Sequence, residues 1–146
     1  MKYNVEPDAK YPGLSPRELT NGLQGSVIFN SGRWVGYVGK DLDLTVDLGE
    51  VKPIRLISVR TLISAAQWIM PHRGLYVWVS TDGKNFEDIY DLPADPMPAN
   101  KPDYIDTENV RLPMAKDARY VRIKMLSEKS MPAWHPHTGK PGWLFV

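Results

Sequence analysis

The fold class that the sequence predicts is all-β, an antiparallel β-sandwich formed by residues 1–146 as one domain, and three observations predict it. Apolar and polar residues alternate in several short stretches, which is the period of a half-buried strand. Thirteen Pro and eleven Gly are dispersed between those stretches as turn punctuation. No stretch of helical period is long enough to supply the crossovers that a parallel sheet requires.

The elements follow in chain order. A short helix is expected from Ser15-Pro16-Arg17-Glu18, where Ser15 caps, Pro16 suits the first helical position and Glu18 completes a capping box. Asn21-Gly22 should end it within about a turn. From Leu42 the alternation is clean: Leu42, Leu44, Val46 and Leu48 on one face, Asp43, Thr45 and Asp47 on the other, with Gly49-Glu50 closing the strand. Ile54 to Leu62 is rich in aliphatic and β-branched residues and reads as a second strand. Leu75 to Ser80 is a third, and the turn Thr81-Asp82-Gly83-Lys84 should return Phe86 to Tyr90 as its hairpin partner. The stretch after Asp91 is too rich in Pro for a helix or central strand and reads as a surface connection. Further strands are expected around Asn109 to Leu112, over Ala118 to Leu126, and at Trp143 to Val146.

Eighteen Lys and Arg nearly balance seventeen Asp and Glu, and no run of like charge occurs. That argues against a nucleic-acid partner, which demands a basic face. No apolar stretch is long enough to insert into a membrane, and the first residues lack the apolar core of a secretion signal. Without cysteine there are no disulfides, thiolate nucleophiles or thiolate metal ligands.

Acidic pairs such as Asp41/Asp43 and Glu87/Asp88 offer glycosidase-like carboxylates, but they fall on a polar strand face or beside a turn, where solvated carboxylates are the simpler reading. No nucleophile elbow or phosphate loop is present. His135-Pro136-His137 suggests zinc, yet a third ligand would have to come from distant His72 or an acid, so hydrogen-bonding loop histidines are preferred. The tryptophans divide by position. Trp78 and Trp143 lie inside strands and are expected in the core, whereas Trp34, Trp68 and Trp134 sit among Gly, Pro, Arg and His. Loops on a rigid sheet are where binding residues collect. An indole plate beside polar donors complements a sugar ring, with its C–H face and hydroxyl rim, and both Trp68 to Arg73 (WIMPHR) and Trp134 to His137 (WHPH) carry that combination.

The ordered run LTNGLQGS (Leu19 to Ser26), Trp34-Val35-Gly36-Tyr37, Val46-Asp47-Leu48-Gly49, Val79-Ser80-Thr81-Asp82-Gly83 and Ala118-Arg119-Tyr120-Val121-Arg122 resembles the discoidin, or coagulation-factor type C, family, including family 32 carbohydrate-binding modules. Trp68-Ile69 followed by Pro71, and Pro132 to His135 followed by Gly142 to Phe145, resemble the C-terminal accessory domain of bacterial, Bacteroides-like family 20 β-hexosaminidases. The resemblance implies a discoidin-like jelly roll with a galactose-binding-domain-like fold, belonging to a larger glycosidase whose catalytic barrel lies elsewhere. It implies a periplasmic or cell-surface location and a structural Ca2+ held by Leu19, Asn21 and Ser26, although Asn21 replaces the family's Asp. The functional expectation is a non-catalytic module that binds hexosamine- or galactose-type glycans through Trp34, Trp68, His72, Arg73, Trp134, His135 and His137. The alternative is a structural domain packed against the parent's catalytic domain.

Overall fold

The alternation beginning at Leu42 runs further than expected. In the computed structural model, which describes residues 1–146, strand β3 spans Leu42–Ile63, and its partner β6 spans Tyr104–Leu126. Gly49, the expected stop, instead sits in a bulge: pairing slips between Asp47 and Lys52, and again between Ile54 and Leu56. On either side of those slips the register is regular, Leu42–Asp47 against Tyr120–Met125 and Leu56–Ile63 against Tyr104–Arg111. Bulges bend the strand that carries them, and here they let one ribbon serve two layers. Leu42, Leu44, Val121 and Met125 from one half share a buried cluster with Val59 and Val110 from the other. A continuous sheet therefore closes into a sandwich.

The remaining strands extend this ribbon: β1 (Lys2–Val5), β2 (Gly36–Val38), β4 (Gly74–Ser80), β5 (Glu87–Pro93) and β7 (Trp143–Phe145). All pairs are antiparallel, in the order β2-β7-β3-β6-β4-β5 with β1 on β3. Both β1 and β2 are absent from the sequence expectation, because at four and three residues Lys2 to Val5 and Gly36 to Val38 are too short to show a period.

The expected helix shrinks to one 3-10 turn, Glu18–Thr20. Glu18 does reach back to the Leu14 N–H (3.2 Å) and the Ser15 hydroxyl (3.3 Å), but Gly22 at φ +80° breaks the chain away at once. Two tryptophans also depart from expectation. On β4 the alternation sends Leu75, Val77 and Val79 inward, so Trp78 lies on the outer face, half-buried, stacked at 6.2 Å on Tyr76 and under the guanidinium of Arg122. Trp143 is likewise half-buried, edge-on to Tyr11. Trp34 is the sealed one at 3% exposure, packed with Leu62, Ile69 and Phe145.

Candidate functional site

Three connections meet at one end of the sandwich, and strand register explains why. Ile63, where β3 ends, is opposite Tyr104, where β6 begins; Gly74, where β4 begins, is opposite both Pro93 and Leu126. The segments 64–73, 94–103 and 127–142 therefore all leave from the same edge. Ile63, Ala65, Met70, Met97 and Met131 form a second buried cluster beneath them, against which Trp68, Tyr104 and Trp134 lean.

The stretches WIMPHR and WHPH come together on this base. Ala65–Gln67 makes a 3-10 turn closed by the Trp68 N–H on the Ala65 carbonyl (2.9 Å), and the Trp68 carbonyl accepts the Trp143 N–H (2.7 Å). Held from both sides, Trp68 adopts φ +65°, the one non-glycine residue in the left-handed region. An L side chain there costs roughly 1–3 kcal/mol. Its half-buried ring lies 4.0 Å from the His137 ring, with the Lys140 ammonium 5.9 Å from its centroid. Trp134, also half-buried, donates its indole N–H to the Met97 carbonyl (2.7 Å), tying the Pro-rich connection to the cluster.

Of the other polar residues expected here, His135 and Arg73 are engaged by the fold itself, and His72 is buried with its Nδ1 unpartnered. His135 is buried; its Nε2 lies 2.9 Å from the Ala65 carbonyl and its Nδ1 accepts the His137 N–H at 3.1 Å, so the proton sits on Nε2 and both ring nitrogens are occupied. That leaves the imidazole no lone pair for a zinc ion. His72 is buried too, and desolvation holds its imidazolium below the ordinary range against the opposing pull of Glu108, 3.9 Å away. Arg73 donates through Nε to the Ala94 carbonyl (3.0 Å) and through Nη1 to buried Glu128 (3.0 and 3.3 Å). Trp34 lies outside the cluster; its indole N–H donates to the Ser26 carbonyl (2.9 Å), and the ring covers Gly25. Glu128, Lys140 and Met97 escaped the sequence reading, because nothing local marks a residue whose partner is dozens of positions away.

The loop expected to hold Ca2+ is closed by its own hydrogen bonds. Asn21 Oδ1 accepts the Leu23 N–H (2.8 Å) and Ser26 Oγ the Ile28 N–H (3.3 Å). Glu18 beside it is paired with Arg33 at 3.3 Å; burial pulls its carboxyl upward, but bonds from Asn21, Arg33 and the Leu14 N–H hold it below the usual range. Calcium takes six to eight oxygens with carboxylates among them, whereas Leu19, Asn21 and Ser26 supply no anionic one, and no cluster of three His, Asp or Glu side chains occurs. The residues present do not fit the ion.

No curated protein sequence matches this chain as a relative. The F5/8 type C domain family matches residues 8–144, and the chain belongs to that family. Among solved structures, CpGH89CBM32-6 produced by Clostridium perfringens is similar over 99% of this chain and 91% of its own, at 19% identity and a TM-score of 0.53. The CBM32 of AlyQ, in complex with 4,5-unsaturated mannuronic acid, aligns over 99% and 92% at 13% identity and a TM-score of 0.52. CpGH89CBM32-5 from Clostridium perfringens, in complex with GalNAc-beta-1,3-galactose, gives 99% and 92% at 15% identity and a TM-score of 0.52. These likenesses show the shared fold.

Proposed function

We propose that this F5/8 type C domain is a non-catalytic carbohydrate-binding module whose Trp68, His137 and Lys140 face a hexosamine- or galactose-type glycan, as an accessory to a β-hexosaminidase-type enzyme at the cell surface or in the periplasm. The observation that carries the reading is Trp68 itself. Glycine would satisfy φ +65° without strain, yet the position holds the largest side chain, on the rim and against an imidazole. Strain kept at a surface ring is the signature of a position selected for presentation rather than stability. Trp68 supplies the flat apolar plate; His137, Lys140 and exposed Gln67 supply donors and acceptors for hydroxyls. The buried His135 and the Arg73–Glu128 pair act behind them, fixing the loops. The sugar-bound neighbours AlyQ CBM32, with 4,5-unsaturated mannuronic acid, and CpGH89CBM32-5, with GalNAc-beta-1,3-galactose, support carbohydrate as the ligand, and the second supports the hexosamine or galactose type.

A single site of this kind is weak. A Kd of about 1 mM corresponds to roughly −4.1 kcal/mol, and retention comes from tethering to an enzyme or from several modules acting together. The test is chemical-shift mapping of the five indole N–H signals against N-acetylhexosamine- and galactose-terminated oligosaccharides. Trp68 should shift and Trp34 should not. Trp68→Gly relieves the strain while deleting the plate, so binding should fall by about tenfold or more, about 1.4 kcal/mol, and the strain relieved should offset part of the packing lost against the cluster beneath, leaving the fold intact by circular dichroism. Silence from every sugar at about 10 mM, well above the affinity expected of such modules, sinks the reading. Docking against a catalytic barrel is the second reading, favoured by the exposed apolar side chains of Leu14 and Ile28.

A further inference from the structure

On the premise that Trp68 seats a glycan, we propose that the sugar carries an anionic group, a carboxylate or a sulfate ester, set against the Lys140 ammonium. The acids of the chain avoid this rim. No Asp or Glu occurs from Val51 to Thr81 or from Lys129 to Val146, and those two stretches supply Trp68 and the turn from His137 to Lys140 that packs on it. The carboxylates nearest in the fold are already engaged. Buried Glu128 pairs with Arg73 at 3.0 Å, Asp41 takes Lys129 at 2.6 Å, and Glu108 lies 3.9 Å from His72. Asp95 and Asp103 sit with Lys101 on the Pro-rich connection, which is tied to the cluster through Met97 and Trp134. Of the cations in segments 64–73 and 127–142, Arg73 and Lys129 are therefore neutralised, and exposed Lys140 has no carboxylate partner.

The backbone under Lys140 is built rather than loose. Its N–H donates to the His137 carbonyl (3.2 Å), and its own carbonyl accepts the Met131 N–H (2.8 Å). The Gly139 N–H donates to the Met131 carbonyl (3.0 Å), and Thr138 Oγ1 donates to the Met131 and Pro132 carbonyls (3.0 and 2.8 Å). The turn so fixed sets the ammonium 5.9 Å from the Trp68 centroid. That is the outer limit of a cation–π contact, so the ring satisfies little of the charge and the ammonium keeps donors for a ligand. A neutral pyranose would use it as one more hydroxyl partner. A carboxylate or sulfate on the same ring gains a charge-assisted hydrogen bond, roughly twice as strong as a neutral one. The whole chain carries a net charge of only +1, so long-range attraction is small and a preference for acidic sugars has to arise locally.

The probes are two matched pairs: a galactose-terminated oligosaccharide with and without a 6-O-sulfate, and a galacturonic acid oligomer as the free acid and as its methyl ester. Each is titrated into the 15N-labelled protein at about 0.01 M and about 0.15 M salt, following the Trp68 indole N–H. In at least one pair the acidic member should bind about threefold to fivefold tighter at low salt, as an exposed ion pair allows, and the advantage should shrink at the higher salt. The pair that shows it tells sulfate from carboxylate. Lys140→Gln should erase the ratio between the two members, Lys140→Arg should keep it and Lys140→Glu should invert it. Lys84→Gln, on the hairpin at the other end of β4, should leave the ratio as it is. Equal affinity of acidic and neutral members in both pairs overturns the proposal and leaves glycan binding standing. A preference that survives Lys140→Gln overturns it as well. Silence of Trp68 toward every probe ends both readings.

Discussion

Removing the carboxylate of Glu128 should loosen the whole loop cluster, and the structure allows the loss to be sized. Arg73 joins the three connections: its N–H donates to the Leu126 carbonyl (2.7 Å), its Nε to the Ala94 carbonyl, and its Nη1 to Glu128. Glu128 in turn accepts the Ser130 N–H through its carboxylate (3.2 Å) and the Gly142 N–H through its carbonyl (2.9 Å). The Glu128 side chain is 4% exposed, that of Arg73 31%. Breaking a fully buried pair costs about 3–5 kcal/mol, and water reaching a third of Arg73 brings Glu128→Ala down to about 2–3 kcal/mol. At roughly 3 °C per kcal/mol for a chain of this size, the midpoint should fall by about 6–9 °C. Arg73→Met should cost more, because it strands a buried carboxylate. The double variant Arg73→Met/Glu128→Met should lie above the sum of the single losses. Thermal unfolding followed by circular dichroism, run as a double-mutant cycle, measures all of this. A drop of less than about 2 °C for Glu128→Ala, or strict additivity, would falsify the clamp. An Arg73→Met protein of unchanged stability that no longer binds glycan would return the guanidinium to the ligand.

Gly25→Ala should destabilise by about 1–3 kcal/mol and expose the Trp34 fluorophore, because the new Cβ would lie 2.4 Å from an indole that cannot yield; Gly22→Ala, in open space at φ +80°, should cost about 1 kcal/mol from backbone strain alone and leave the emission unchanged. Desolvation of His72 lowers its folded pKa beneath the unfolded value, so its contribution to stability is complete above about pH 6.5 and is lost as pH falls through the folded pKa. His72→Phe should flatten the stability profile between about pH 5 and 7; parallel slopes for the two proteins in denaturant titrations count against this. Millimolar Ca2+ should move the melting midpoint by less than about 1 °C, since a specifically bound ligand in excess would shift it further, and calorimetric binding heat from a site containing Asn21 would contradict the reading of that loop.

The candidate site was legible in part. Composition marked WIMPHR and WHPH as two separate aromatic and polar segments and could not show that they meet; the Trp68–His137 contact is what the fold adds. Nor could it show which of their side chains face outward, because the placement of His72, His135 and Arg73 depends on Glu108, Ala65, Ala94 and Glu128, each distant in the chain from the residue it meets. Trp34 was misjudged for the same reason: its Gly- and Arg-rich neighbourhood reads as a rim, but a glycine at position 25 is also what lets an indole lie flat on the backbone. Trp78 needed only its strand period carried one step further, since Leu75, Val77 and Val79 had already claimed the inner face.

Alternation, turn residues and an absence of helical period were enough to determine the all-β class, the inner face of Leu42 to Leu48, and the hairpin around Gly83, since each depends on residues close together in the chain. Tertiary structure alone decided that two expected strands are one bent ribbon, that the helix expected from Ser15 shrinks to a single 3-10 turn beginning at Glu18, and that Trp68 is held in a left-handed backbone by Ala65 and Trp143. Those outcomes rest on hydrogen bonds and packing between segments far apart in sequence, whose geometry exists only once the layers have closed.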